Sequence, residues 1–271
     1  MWRCAVAGQP IAHSLSPLIH TTAYLVLGIE GSWEYDRVEL DAAGLPGFVA
    51  GCGPEWVGLS CTAPLKHAVL GLGTASPQAL LLDSGNTLVF AREGRPARVE
   101  NTDVTGMLGA LARAGVTAAE RAILVGNGAT ARSALAALAD LGVTRVRVLV
   151  RSRANAEASL AGLADRLGIL VDYGPWGVEG AGGQADLLIS TVSAPLPDPV
   201  AASLAGEVPV CFDATYNHYP TALDRAARAA GIVQLSGIDL LVGQALDQIR
   251  LFTGRECPPE PLLDAAYAAL P

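Results

Sequence analysis

Residues 121–131 read RAILVGNGATA, an apolar run that passes into a glycine-containing turn. The apolar run predicts a buried strand, and an alanine- and leucine-rich helix to about residue 141 is expected after the turn. Gly126-x-Gly128-x-x-Ala131 is typical of a dinucleotide site, because the glycines permit a tight turn near a pyrophosphate and Ala131 allows close helix packing. The pyrophosphate is expected at the helix N-terminus. The alternative interpretation is a helix-opening turn that binds no ligand.

The residues after the next predicted strand indicate which dinucleotide binds. The strand Arg145–Val150 is followed by Arg151, Ser152 and Arg153, with no acidic residue. An Asp or Glu at this place usually binds the ribose 2′-hydroxyl of NAD, whereas arginine and serine suit the 2′-phosphate of NADP through charge-assisted hydrogen bonds. The sequence therefore favours NADP over NAD, with Arg151 and Ser152 at the phosphate and Arg153 on the solvated surface.

Strands and helices alternate along the rest of the chain. Continuous apolar strands between helices predict an α/β fold in which a parallel sheet is covered on both faces. We expect two domains, an N-terminal α/β domain and a Rossmann-type doubly wound parallel sheet, with C-terminal helices that return to the first domain. Helices are predicted to begin at Ser16-Pro17 with Ser16 as the N-cap, at Pro64 and at Asp103; a hairpin is predicted around Glu93-Gly94, and a loop at Gly180–Gly183.

The composition limits the class of protein. The chain has 271 residues, of which 51% are hydrophobic, and a formal net charge of −8. This is enough apolar sequence for a large core in one or two domains, and the negative charge argues against nucleic-acid binding. No apolar run approaches about 18 residues and the N-terminus resembles a strand rather than a leader, so we expect a cytoplasmic protein without a membrane partner. Cysteines and histidines lack the spacing of a metal site or a disulfide framework.

Lys66 stands out because it is the only lysine among 18 basic residues. The chain uses arginine everywhere else, so the single lysine marks a position where arginine does not serve. An arginine keeps its proton near neutral pH, whereas a lysine in a suitable environment can exchange it. The sequence therefore predicts a chemical role for Lys66. The alternative interpretation is a chance position on a solvated helix.

Other polar side chains stand at predicted strand ends in the N-terminal part of the chain. Ligand sites of α/β folds lie in the loops that follow the carboxyl ends of strands. Ser14 and Ser16 place two hydroxyls at a helix opening, where they suit a carboxylate or hydroxyl groups, although Ser16 alone also fits a helix cap. Strand-end positions are also expected for Thr62, Lys66, Asn86 and Asp103.

Six short motifs follow one another along the chain. They are GQPIAHSLSP at residues 8–17, GLSCTAPLK at 58–66, GNT at 85–87, NTD at 101–103, DATY at 213–216 and GIDLLVGQ at 237–244. Their order and spacing resemble the shikimate dehydrogenase family over nearly the whole chain. The resemblance implies NADPH-dependent interconversion of 3-dehydroshikimate and shikimate, by a substrate domain that faces a Rossmann domain across a cleft.

The resemblance also implies roles for domains and residues. Residues 1–103, completed by 237–271, match the substrate domain, and residues 104–236 match the NADP-binding domain. Lys66 and Asp103 match the catalytic pair, and no metal is implied. The implied substrate-binding residues are Ser14, Ser16, Thr62, Lys66, Asn86, Asp103, Tyr216 and Gln244. The implied cofactor-binding residues are Gly126, Asn127, Gly128, Ala129, Thr130, Ala131, Arg151, Ser152, Thr191 and Gly237.

The chain departs from the family pattern at several positions, mostly on the cofactor side. Ser60 stands where the family usually has asparagine. Asn127 and Ala129 interrupt the glycine-rich loop, and Asn155 stands where a second basic residue often follows the strand-end arginine. Selectivity for NADP is therefore expected to be clear but moderate.

Alternative functions stay open beside the leading one. The first is a quinate/shikimate dehydrogenase with relaxed substrate or NAD use, which an acidic residue after Val150 would favour. The second is a non-catalytic metabolite sensor, which the loss of Lys66 or Asp103 would favour. A folate-type dehydrogenase is a more distant alternative, against which the Ser14-x-Ser16 pattern argues. A monomer or a homodimer is expected, with a small-molecule substrate.

Overall fold

The computed structural model describes residues 1–177 and 184–270. The chain divides into two compact units, residues 1–106 with 241–270 and residues 107–240. The predicted loop at Gly180–Gly183 lies outside the described residues. Within the described ranges, no helix is long and apolar enough to cross a membrane.

Strands and helices alternate through both units, with a short 3-10 helix at Ala68–Leu72. Up to residue 113 the order is β1 (Trp2–Gly8), α1 (Ser16–Val26), β2 (Trp33–Glu39), α2 (Leu45–Ala50), β3 (Trp56–Cys61), β4 (Thr74–Ala75), α3 (Pro77–Leu82), β5 (Thr87–Val89), β6 (Arg98–Glu100) and α4 (Asp103–Arg113). It continues with β7 (Arg121–Val125), α5 (Ala129–Asp140), β8 (Arg145–Val150), α6 (Arg153–Leu167), β9 (Leu170–Pro175), β10 (Leu187–Ser190), α7 (Asp198–Ala205), β11 (Val210–Asp213), α8 (Ala222–Ala230), β12 (Val233–Leu235), α9 (Gly237–Thr253) and α10 (Glu260–Ala268).

The first unit contains a mixed sheet in the order β2-β1-β3-β5-β6-β4. β1 runs parallel to β2 and β3, whereas β5 and β6 form the predicted antiparallel hairpin. Both faces of β1 are buried: Cys4 and Val6 pack in one apolar cluster with Phe252, and Ala5 and Ala7 pack in another. Burial on both faces explains why this strand is a continuous apolar run rather than an alternating one.

The second unit contains an entirely parallel sheet in the order β12-β11-β10-β7-β8-β9. This confirms the predicted doubly wound sheet. The order reverses at β7, where Val125 pairs with Leu149 on one side and with Ser190 on the other. The carboxyl ends of three strands therefore lie together at the switch point, which is where open α/β sheets bind ligands.

Two local predictions are wrong. Ser16 does not cap α1: the N-cap is Leu15 without a side-chain bond, and the Ser16 N–H instead donates to Ser14 Oγ at 3.3 Å. No helix begins at Pro64, because β3 continues to Cys61 and residues 63–67 form a turn. In that turn the Leu65 N–H donates to the Thr62 carbonyl at 2.8 Å, and the Leu65 side chain is completely buried.

Candidate active site

Lys66 and Asp103 form an ion pair in the first unit. Lys66 lies in the turn after β3, where its carbonyl accepts the Gly85 N–H at 2.7 Å. Its Nζ donates to Asp103 Oδ2 at 2.6 Å, and the two side chains are 15% and 2% exposed. Asp103 is the first residue of α4, where the helix dipole favours a negative charge. The carboxylate at the predicted helix start therefore binds the lysine.

Asn86 joins the pair to a third group. Its Oδ1 accepts the Thr102 N–H at 2.8 Å, so its Nδ2 faces the opposite way. That nitrogen lies 2.9 Å from Asp103 Oδ1 and 3.0 Å from Gln244 Oε1. Four of the predicted substrate-binding residues, Lys66, Asn86, Asp103 and Gln244, are thus in one hydrogen-bonded cluster.

Close packing of α4 against α9 places Gln244 in this cluster. A Cβ on Gly106 would lie 2.6 Å from the backbone nitrogen of Gln244, and one on Gly243 would lie 2.4 Å from the Gly106 carbonyl oxygen. Neither distance is compatible with a side chain, so glycine at both positions allows the two helix backbones to touch. The contact sets the depth at which the Gln244 side chain reaches Asn86.

The predicted hydroxyl residues follow β1 and β3. Ser14 and Ser16 are buried, and the Ser14 carbonyl accepts hydrogen bonds from Arg37 Nε at 3.0 Å and Nη2 at 2.6 Å. Arg37 therefore fixes the serine segment, a role that the sequence did not suggest. The Thr62 N–H donates to the Ala7 carbonyl at 2.9 Å, which holds this threonine at the end of β1.

Tyr216 and Gly237 belong to the second unit. Tyr216 lies in the loop after β11, and Gly237 is the first residue of α9. A Cβ on Gly237 would lie 2.4 Å from the Thr215 carbonyl carbon and 2.6 Å from the Tyr216 nitrogen. Glycine is required there so that the start of α9 can pack on the backbone of the Tyr216 loop.

A pocket of about 240 Å³ lies at the switch point of the parallel sheet. Gly126 lines it with a φ of 111°, and an added Cβ would lie 2.5 Å from Thr191 Oγ1. Gly128 precedes α5 and has open space around its Cα. The other predicted cofactor residues that line the pocket are Asn127, Arg151, Ser152 and Thr191.

Arg151 and Ser152 stand at the rim of this pocket, after β8. The Arg151 guanidinium lies 5.7 Å from the ring centre of Trp176. Ser152 caps α6, since its Oγ accepts the Asn155 N–H at 3.4 Å, and its hydroxyl proton remains a donor. Arg153 is exposed, with its Nε 2.7 Å from Glu157 Oε1, in agreement with its predicted surface position.

Some predicted cofactor residues do not line the pocket. Ala129 and Thr130 form the first turn of α5, and Ala131 is completely buried beneath it, which suits the packing role predicted for that alanine. Trp176 lines the pocket but was not predicted, and Asn155, named above only as a departure from the family pattern, lines it as well. An aromatic residue immediately after a parallel strand was a usable signal for Trp176.

Together these features describe two chemically different sites. The cluster around Lys66 combines one cation, one carboxylate and neutral amides, which suits proton transfer to or from a polar uncharged group. The pocket combines an open helix N-terminus with an arginine and a serine, which suits phosphate groups. Among the described residues, no group of His, Cys, Asp or Glu could hold a metal ion.

Comparisons with known proteins agree with this chemistry. The family model described as shikimate dehydrogenase substrate binding domain matches residues 6–88. A protein named shikimate dehydrogenase (NADP(+)) from Methanothermobacter thermautotrophicus is 32% identical, over 98% of this chain and 95% of the relative.

Solved structures match the whole chain. The crystal structure of Mycobacterium tuberculosis shikimate dehydrogenase is similar with a TM-score of 0.85 and 39% identity, over 99% of each chain. The shikimate 5-dehydrogenase of Thermus thermophilus, crystallised in complex with NADP(H) and shikimate, matches with a TM-score of 0.85 and 30% identity over 100% of each chain.

Proposed function

Since the chain belongs to the shikimate dehydrogenase family, we propose that it reduces 3-dehydroshikimate to shikimate with NADPH and catalyses the reverse oxidation with NADP. The observation that carries this proposal is the ion pair of Lys66 and Asp103, 2.6 Å long, beside two neutral amides. Reduction of a ketone builds negative charge on its oxygen and ends with a proton there. A lysine held by a carboxylate supplies both the cation and the proton.

Neutral donors suit the substrate, which carries one carboxylate and hydroxyl groups. The hydroxyls of Ser14, Ser16 and Thr62 are assigned to the carboxylate. Gln244 Oε1 accepts from Asn86, so Gln244 offers its Nε2 as the donor to a substrate hydroxyl. A buried site of this kind discriminates by hydrogen bonding, because a substrate that lacks the matching group leaves polar atoms without partners. Tyr216 is proposed as a further substrate-binding residue.

Lys66 moves the proton. Its Nζ donates one proton to the ketone oxygen during reduction and takes one from the hydroxyl during oxidation. Asp103 Oδ2 holds Nζ at 2.6 Å, which orients the remaining ammonium hydrogens. Asn86 holds the other carboxylate oxygen at 2.9 Å, so the carboxylate keeps its orientation while Lys66 changes protonation state.

The pocket of the second unit has the donor set for NADP. At position 126 any other residue type would bring its Cβ within 2.5 Å of Thr191 Oγ1, and Gly128 leaves the N-terminus of α5 accessible to a pyrophosphate. Arg151 and Ser152 would hold the 2′-phosphate. NADPH supplies the hydride of the reduction when it is bound.

Two alternatives give different results in the same assay. A non-catalytic sensor would bind shikimate without turning it over, whereas the intact pair of Lys66 and Asp103 supports turnover. A quinate/shikimate dehydrogenase would also oxidise quinate, which is saturated and carries an additional hydroxyl. Among the described residues, no acidic side chain lines the NADP pocket beside Arg151 and Ser152, which supports NADP as the cofactor.

The test is turnover of the purified protein with 3-dehydroshikimate and NADPH. We expect NADPH absorbance to fall and shikimate to appear in equal amount by mass spectrometry. Lys66→Ala protein purified in the same way is the matched control, because any host dehydrogenase would contaminate both preparations. Shikimate formation that is equal in both preparations, or absent in both, would contradict the proposal.

Two further predictions accompany this function. The role of the protein in the shikimate pathway, and hence in aromatic amino acid biosynthesis, supports the predicted cytoplasmic location. The oligomeric state, monomer or homodimer, stays a prediction. Cell fractionation tests the location, and light scattering of the purified protein tests the oligomeric state.

A further inference from the structure

A chain of buried hydrogen bonds ends on the Asp103 carboxylate. We propose that Thr87 and Gln248 are positioning residues for Asp103, at the centre of a relay in which every group donates toward that carboxylate. The inference rests on the proposed function for the role of Asp103. The relay runs, in order of donation, through Tyr35, Ser60, Gln248, Thr87, Asn86 and Asp103.

One backbone group fixes the direction of the relay. A backbone N–H can only donate, and that of Thr102 lies 2.8 Å from Asn86 Oδ1. The Asn86 carboxamide therefore has one orientation, with its Nδ2 toward Asp103 Oδ1 at 2.9 Å. Because a main-chain donor sets this orientation, the positions of the nitrogen and the oxygen of the Asn86 carboxamide are not interchangeable.

The direction carries through Thr87 to Gln248. Thr87 Oγ1 lies 2.9 Å from Asn86 Oδ1, an acceptor, so the threonine hydroxyl donates to it. The same Oγ1 accepts from Gln248 Nε2 at 3.0 Å. The Gln248 oxygen must then lie on the far side of its carboxamide, away from Thr87.

Two donors meet that oxygen. Ser60 Oγ donates to Gln248 Oε1 at 2.9 Å and accepts from Tyr35 OH at 2.7 Å, while His20 Nε2 lies 3.3 Å from Oε1. Burial lowers the pKa of His20 to about 3, so the ring is uncharged at neutral pH. Because an amide oxygen such as Gln248 Oε1 can only accept, the direction of the relay places the ring proton of His20 on Nε2. Burial also raises the pKa of Tyr35, which therefore stays a donor.

The relay has two consequences for Asp103. Its members are at most 5% exposed, and in such surroundings hydrogen bonds in series strengthen one another. The bond from Asn86 to Asp103 Oδ1 is therefore stronger than an isolated amide would give. It also fixes the rotation of the carboxylate, so that Oδ2 faces Lys66 Nζ. Ser60 is fully engaged within the relay, by Tyr35 and Gln248, which gives this departure from the family asparagine a function.

The test removes one relay hydroxyl without changing its volume. Thr87→Val should lower kcat about fivefold, the equivalent of one neutral hydrogen bond, with KM for NADP unchanged. Thr87→Ser keeps the hydroxyl and should restore kcat. Gln248→Met breaks the next bond, and the double variant with Thr87→Val should be no worse than the more impaired single variant, since both interrupt one chain.

The matched control is Thr253→Val. It removes a hydroxyl of α9 that binds the Ile249 carbonyl at 2.7 Å, outside the relay, and should leave kcat unchanged. Wild-type kcat in folded Thr87→Val protein, or additive losses in the double variant with Gln248→Met, would overturn the relay. Loss of kcat in Thr87→Ser equal to that in Thr87→Val would also overturn it.

A measurement on the wild-type protein is independent of both activity and the folding of variants. ¹⁵N chemical shifts should show His20 neutral at pH 7, with the proton on Nε2. A proton on Nδ1 alone, or a charged ring, would contradict the direction assigned to Gln248 Oε1. If the wild type has no activity on shikimate, the proposed function fails, whereas an active wild type with unaffected relay variants rejects only this inference.

Discussion

Replacement of Lys66 by alanine removes the cation and the exchangeable proton from the first unit's polar cluster. Its Nζ donates to Asp103 Oδ2 at 2.6 Å, and the side chain is only 15% exposed, so water replaces the ammonium poorly. Loss of one preorganised donor to a developing oxyanion costs about 10²–10³ in kcat, or about 2.7–4 kcal/mol. We expect a fall of at least this size, since the proton donor is lost as well, with a smaller change in KM for shikimate.

The assay is steady-state turnover of shikimate and NADP, with urea unfolding measured in parallel. Stability is also expected to fall, by about 1–3 kcal/mol, because the Asp103 carboxylate loses a charged partner while it stays buried. Arg98→Ala is the matched control, because it also removes a cation from the first unit. The ion pair of Arg98 with Glu100, both on β6, is 4.0 Å long and partly exposed, so its loss should leave kcat unchanged.

Lys66→Arg separates charge from proton transfer. It keeps the positive charge but holds its proton near neutral pH, so kcat should remain far below the wild-type value. Wild-type kcat in folded Lys66→Ala protein would refute the assignment of the proton to Lys66. Full activity of Lys66→Arg would refute proton transfer and leave only an electrostatic role.

Three further predictions test other parts of the structure. Arg151→Ala should raise KM for NADP by roughly 10–100-fold, because it loses one charge-assisted hydrogen bond of about 1.5–3 kcal/mol, and KM for NAD should not change. The control Arg153→Ala should change neither KM, and equal KM changes for both cofactors in Arg151→Ala would contradict the phosphate role of Arg151. Gly126→Ala places a Cβ 2.5 Å from Thr191 Oγ1 at a φ of 111°, so calorimetric NADP binding should weaken while shikimate binding persists; unchanged NADP affinity would reject this glycine's role. Burial lowers the pKa of His20 from 6.5 to about 3, so between these pH values the unfolded state binds more protons than the folded state. The free energy of unfolding should therefore fall by about 2 kcal/mol as the pH is lowered from 6.5 to 5. His20→Gln should lose that dependence in urea unfolding, and equal pH dependence of the two proteins would contradict the prediction.

The parts of the fold that follow local patterns could be predicted from the sequence. The strand Arg121–Val125 and the helix after it were predicted because an apolar run and a glycine turn are signals within a few residues. β4 and β12 were missed, since two or three residues carry no period and become strands only by pairing with a neighbour. The helix predicted at Pro64 failed because burial of Leu65 and the extension of β3 outweigh the preference of proline for a helix start.

In the candidate site, too, some residues could be predicted from the sequence and others could not. Lys66 could be singled out by counting, and the NTD motif pointed to Asp103. Gln248 could not be predicted, because its partner Ser60 is 188 residues away and only the packing of α9 on β3 brings them together. Arg37 was missed because it binds a backbone carbonyl, that of Ser14, and belongs to none of the short motifs.

The most direct test of the proposed activity is a single set of initial rates for the wild-type protein, with shikimate or quinate and with NADP or NAD. The neutral donors around Lys66 and the basic rim at Arg151 predict the highest kcat/KM for shikimate with NADP. They also predict that quinate is the poorer substrate with either cofactor. A kcat/KM for quinate equal to or above that for shikimate, or equal use of NAD and NADP, would contradict the account.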